Sequence, residues 1–149
     1  MLEPRSAGTA LLCLILAVSP SACSTSTPSE DEFASAQARW HRTGLTNYRF
    51  KSTQSCFCTV DYTAAMTVTV RSGLVVSVVD RATGASRPLE FRQPIDSVFA
   101  MVRQELIARP SRLEVEYDPA LGYPRRLKYG TPENDAGGFI YLDSVVVAP

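Results

Sequence analysis

The sequence predicts an α+β fold. It consists of an antiparallel sheet of about six strands with two helices on one face, in the order α-β-β-β-α-β-β-β. Three observations predict it. Apolar residues recur at helical spacing around Phe33 and again around Val98. Apolar and polar residues alternate with period two in the segments between and after them. Short turns rich in Gly and Pro join those segments, which pairs neighbouring strands antiparallel. The chain has 149 residues, 45% hydrophobic and 20% charged, which is the composition of a globular domain of ordinary size.

The first helix is expected from about Glu30 to Thr43. Ser29 and Glu32 fit a capping box, Phe33, Ala36 and Trp40 share one face, and Gly44 suits the exit. Trp40 reads as a core anchor. Tyr48 to Ser52 alternates as a first strand. Met66 to Arg71 and Leu74 to Val79 form a hairpin around Ser72-Gly73. Ile95, Val98, Phe99, Val102 and Leu106 mark a second helix, entered after Pro94 and ended by Pro110. Leu113 to Tyr117, a strand through Leu127 and Tyr129, and Phe139 to Val147 complete the order. Asp118 to Pro124 has turn chemistry, and Thr131 to Gly138 reads as a polar, acidic loop. The repeated order admits a duplicated αβββ unit. Outward-pointing Thr67, Thr69, Arg71, Glu114 and Glu116 imply that the uncovered face is wet.

Residues 1–22 read as an export signal. Arg5 supplies early positive charge, Ala10 to Val18 is a short apolar run, and Ser19-Pro20-Ser21-Ala22 lead into Cys23. The run is far shorter than the ~20 residues of a membrane-spanning helix. Cys23 is the expected lipid-bearing residue, with residues 23–29 as lipidated Cys and flexible spacer and 30–149 as a single α+β domain. Pro20 stands where lipoprotein signals usually carry Leu. The alternative is ordinary cleavage, after Ser21 or Ser24, to a soluble secreted or periplasmic protein. Cysteine parity favours the lipid: with Cys13 removed and Cys23 modified, Cys56 and Cys58 remain as a pair.

Cys56-Phe57-Cys58 is the unusual local constellation. An oxidising compartment favours a disulfide. Residues two apart in a straight strand lie ~6.6 Å from each other, whereas bridged Cα atoms are commonly ~5.5–6 Å apart. A bridge therefore needs a kink, which the strand end before Thr59-Val60-Asp61 can supply. A reactive dithiol and soft-metal binding are the other readings. Zinc wants four ligands, and the chain has 1 His. That residue, His41, suits the negative end of the first helix. Glu133, Asn134, Asp135 and Asp143 could offer oxygen ligands, but their spacing is not that of an EF-hand, and a solvated turn is expected. Arg125, Arg126 and Lys128 read as a strand's wet face. No cofactor and no metal site is expected. Lys+Arg and Asp+Glu are 15 each, so nothing points to nucleic acid.

Three stretches come in a familiar order: Tyr48-Arg49-Phe50 with Cys56-Phe57-Cys58; Ile95-Asp96-Ser97-Val98-Phe99; and Val115-Glu116-Tyr117-Asp118-Pro119 with Gly122-Tyr123-Pro124. Together they resemble the DUF6174 family of small bacterial envelope proteins, many of them predicted lipoproteins, over about Trp40 to Val146. The resemblance implies an envelope location and carries no activity. Members often place an acidic residue after the Gly-Tyr-Pro turn; Lys128-Tyr129-Gly130 stands there in this chain. The αβββ order also resembles the tandem layout of β-lactamase inhibitor proteins. The expected function is a non-enzymatic, lipid-anchored envelope module. Its partners would be the membrane, through the lipid on Cys23, and another envelope protein. The alternatives are a thiol redox protein using Cys56 and Cys58, and an inhibitor of a secreted enzyme.

Overall fold

The computed structural model describes residues 28–56, 58–110, 112–131 and 136–148. The first helix, α1 (Glu30–Arg42), starts where Ser29 Oγ accepts the Glu32 N–H at 3.1 Å. Glu30, Asp31 and Glu32 occupy its positive end and Arg39, His41 and Arg42 its negative end, so side-chain charge and dipole agree. Gly44, at φ +62°, lets the chain leave the helix.

Strand β1 (Tyr48–Ser55) runs past the predicted Ser52. A four-residue helix, α2 (Val60–Thr63), follows; its length is below what apolar spacing can reveal. Strands β2 (Met66–Arg71) and β3 (Leu74–Asp80) form the expected hairpin. Ser72 and Gly73 have φ of 49° and 77°, the left-handed pair that a two-residue turn matched to strand twist requires. A 3-10 turn at Leu89–Phe91 leads to α3 (Ile95–Ala108). Strands β4 (Arg112–Tyr117), β5 (Pro124–Thr131) and β6 (Ala136–Val147) complete the chain. The ends of β5 and β6 pair Thr131 with Ala136, so both strands reach into the segment expected to be loop.

The six strands form one sheet in the order β3-β2-β1-β6-β5-β4, antiparallel throughout. β3 and β4 are opposite edges, so the connection through α3 must cross the face. Its 14 residues span ~21 Å, close to the ~24 Å width of six strands. Ile95, Val98, Phe99 and Val102 are buried along that path. Both long helices contribute to one core with Tyr48, Phe50, Val68, Leu127 and Leu142 from the sheet. The two αβββ runs share their order but are not spatial copies. Their strands step across the sheet in the same direction while corresponding strands point opposite ways, with both helices on one face. That relation is a reflection, and no rotation superposes one run on the other.

On the open face, Arg126 meets Glu116 at 2.9 Å and Lys128 meets Glu114 at 3.3 Å. Arg125 lies beside Tyr141, whose phenol raises its pKa. The basic cluster is thus a set of cross-strand partners on a wet face.

Three remote segments meet around Trp40. Its indole Nε1 donates to Asp96 Oδ1 at 3.2 Å, joining α1 to the first turn of α3. Its ring meets Tyr48 edge-on, with centroids 5.3 Å apart. The Tyr48 hydroxyl oxygen accepts the Ile95 N–H at 3.0 Å, and burial pushes this phenol up to about 12. Tyr48→Phe leaves the Ile95 N–H unpartnered in a buried place. It should lower stability by about 1–3 kcal/mol in urea unfolding.

At the β3 edge, Asp80 organises the following loop. Its Oδ2 accepts from Arg87 at 2.9 Å, and Oδ1 accepts the Ala82 and Thr83 N–H groups at 2.9 and 3.1 Å. The Arg87 bond first, then the two amides, hold this carboxyl at about 2. A depressed carboxyl stabilises fully above its unfolded value of about 3.9 and loses that contribution as pH falls toward about 2. Thermal melts across that window should show the stability advantage of wild type over Asp80→Asn shrinking as pH falls.

Candidate functional site

The site starts where β1 runs out. Gln54 is the last core-facing residue of the strand, opposite Ile140 of β6. The chain then turns sharply: the Cys58 N–H donates to the Cys56 carbonyl at 2.8 Å, the two-residue span of a γ-turn. This turn brings the two Cα atoms to 5.2 Å, and the structure joins the sulfurs in a disulfide. Cys56 is half-buried and Cys58 is exposed.

Arg92 holds the segment that follows. It is 3% exposed, and its guanidinium donates to the carbonyls of Tyr62 (2.9 Å), Ala64 (2.7 Å) and Phe91 (2.6 Å). A weaker bond at 3.3 Å reaches Gln54 Oε1. Burial lowers the Arg92 pKa, and carbonyl dipoles take the place of a carboxylate partner. The guanidinium also lies 5.5 Å from the Tyr62 ring centroid, a cation–π arrangement. Arg87 adds a second tie, meeting Asp61 at 3.1 Å. Two arginines and the bridge thus fasten a stretch whose own helix is only four residues long.

These ties shape a cleft of about 270 Å³. One wall is Val98 and Met101 of α3; another is Gln54, Ile140 and the Cys56–Cys58 bridge; Tyr62, Gln93 and Tyr129 close it. Gly138 makes room for Tyr129: a Cβ there would stand 2.7 Å from the phenol oxygen. Burial raises the Tyr129 pKa, so the phenol stays neutral and able to donate. Among the described residues, no Asp, Glu, Lys, Arg or His lines the cleft.

The other residues singled out in the sequence lie elsewhere. Cys23 and Glu133, Asn134 and Asp135 fall outside the described residues. Asp143 pairs with Lys51 across β6 and β1. His41 is largely exposed, with Nε2 3.4 Å from Asp96 Oδ1, so it has a carboxylate partner besides the helix end. Among the described residues, no three of His, Cys, Asp and Glu gather closely enough to hold a metal ion. Among them too, no helix is long and apolar enough to cross a membrane. Arg92 and Gln93 were missed because an isolated Arg-Gln pair in a loop carries no period that marks burial or a cleft wall.

No curated protein and no solved structure matches the chain. The model of a family of unknown function, DUF6174, matches residues 32–143, which takes in most of α1, the buried core cluster and most of β6. The chain belongs to the DUF6174 family.

Proposed function

We propose that this protein is a lipid-anchored cell-envelope module that binds another envelope component without catalysing a reaction. The carrying observation is the cleft beside the Cys56–Cys58 bridge. Its walls are fastened in advance and its described lining residues are uncharged, which favours holding a ligand over moving protons or activating a nucleophile. The anchor is supported by the sequence: an early Arg5, a short apolar run, small residues before Cys23, and Ser24 to Ser29 as a spacer. Palmitate labelling of producing cells should mark wild type and leave Cys23→Ser unmarked. Label on both proteins, or on neither, would reject the anchor. Crosslinking in cells followed by capture should recover a recurrent envelope partner.

Cys58 favours a second reading, thiol–disulfide exchange. Its sulfur is open to attack by an external thiolate, and a bridge between residues two apart closes a very small ring. An insulin-reduction assay separates the readings: a redox protein loses its activity with Cys56→Ser, whereas a binding module has none to lose.

A further inference from the structure

We propose that the cleft is an anchor pocket for one uncharged aromatic side chain, a tyrosine or tryptophan, presented by a protein partner. This rests on the binding-module reading and names the chemistry that module recognises.

Size limits the occupant. Cavities of about 150 Å³ hold a benzene-sized molecule, and small-molecule sites usually span about 300–1,000 Å³. At about 270 Å³ the cleft fits one substituted ring and little more.

Charge limits it further. Gln54, Ser55, Gln93, Tyr62 and Tyr129 are the polar lining among the described residues, and all are neutral. The nearby cation, Arg92, is committed to the carbonyls of Tyr62, Ala64 and Phe91. A carboxylate entering the cleft would give up water and meet no cation among its described lining residues. Amide and phenol groups both donate and accept, so they can meet a phenol hydroxyl or an indole N–H in either sense. Met101 offers a thioether, which adapts to a ring and contacts it favourably.

The surroundings favour a ring carried on a protein over a free small molecule. Val60 is 85% exposed, and it lies between Cys58 and Tyr62 in sequence. Leu89 is 45% exposed on the 3-10 turn whose Phe91 packs against Tyr62, centroids 5.2 Å apart. Neither lines the cleft, so a ring filling it leaves both apolar side chains in water; a protein surface that also reaches them would cover them. Interfaces commonly concentrate their energy in one such aromatic anchor within a desolvated pocket.

Methionine methyl NMR tests this on the full chain. Met101 lines the cleft, while Met66 is fully buried in the core and serves as an internal control. p-Cresol and N-acetyl-L-tyrosinamide should both shift the Met101 methyl saturably and leave Met66 in place. 4-Methylbenzoate, the same ring with a negative charge, should bind at least about ten-fold more weakly. Gln93→Trp, at an exposed rim position, should plug the cleft and remove the Met101 response with Met66 unmoved. Absence of a saturable Met101 shift in wild type overturns the proposal. So does benzoate binding as well as cresol, or cresol binding while the tyrosinamide does not. A crosslinked partner captured equally by wild type and Gln93→Trp would overturn the pocket and leave the binding-module reading standing.

Discussion

The fold depends on a clasp built around Trp40. One indole ring touches parts of the chain that are far apart in sequence. Its N–H reaches Asp96 in the first turn of α3, its edge meets Tyr48 at the start of β1, and Tyr123 packs beside it with centroids 6.3 Å away. Tyr48 then returns to α3 by accepting the Ile95 N–H. This bond has particular value at a helix start, where amide groups have no partner within the helix. Pro94 precedes the helix and offers no side-chain cap, so the tyrosine supplies one of the missing acceptors. Gly122 completes the clasp from the other side. It has φ +85°, and any Cβ there would collide with the Ala36 carbonyl oxygen and crowd Arg39 Cβ at 2.8 Å. The β4–β5 turn can therefore press directly on the α1 backbone. With both ends of α3 tied to remote sheet edges, this clasp fixes where the helix crosses.

Much of this was legible in the sequence because it has a period. The α1 stripe of Phe33, Ala36 and Trp40 and the α3 stripe of Ile95, Val98, Phe99 and Val102 are buried as spacing predicts. The Ser72-Gly73 turn formed because few sequences tolerate two consecutive left-handed residues. What stayed hidden has no period. α2 is too short to show a stripe. Burial of Arg92 depends on where the carbonyls of Tyr62 and Ala64 fall in space, and a linear string does not record that. The cleft is less legible still. Gln54, Gln93, Met101 and Tyr129 come from four separate segments, and none has a composition that marks a wall. Whether the two runs are copies was hidden for a related reason: element order carries no handedness, and handedness decides whether two runs can be copies.

The stretches that carry the resemblance to DUF6174 fall largely within the clasp. Tyr48, Asp96, Tyr117, Gly122 and Tyr123 are packing and capping residues, as their contacts show. Membership of the family therefore speaks first about how the chain folds. Cys56 and Cys58 are different. They lie where β1 ends, and they line the cleft. The other groups around it are two tyrosines and glutamine side chains, with Val98 and Met101 of α3 as one wall. Polar and apolar groups from separate elements thus meet around a depression in place of a filled core.

That origin also orders the two functional readings. A bridge kept for exchange gains from a mobile surround, because attack on one sulfur must release the other. The surround of Cys56–Cys58 is the opposite. Arg92 ties Tyr62 and Ala64, Arg87 ties Asp61, and the Cys58 N–H closes back on the Cys56 carbonyl. Each tie removes freedom from the segment after the bridge. Preorganisation of that kind strengthens binding by lowering the ordering cost when a partner arrives. It gives a thiol exchanger no comparable gain. An exposed Cys58 keeps exchange chemically open, but the fastening around it is what a recognition surface needs.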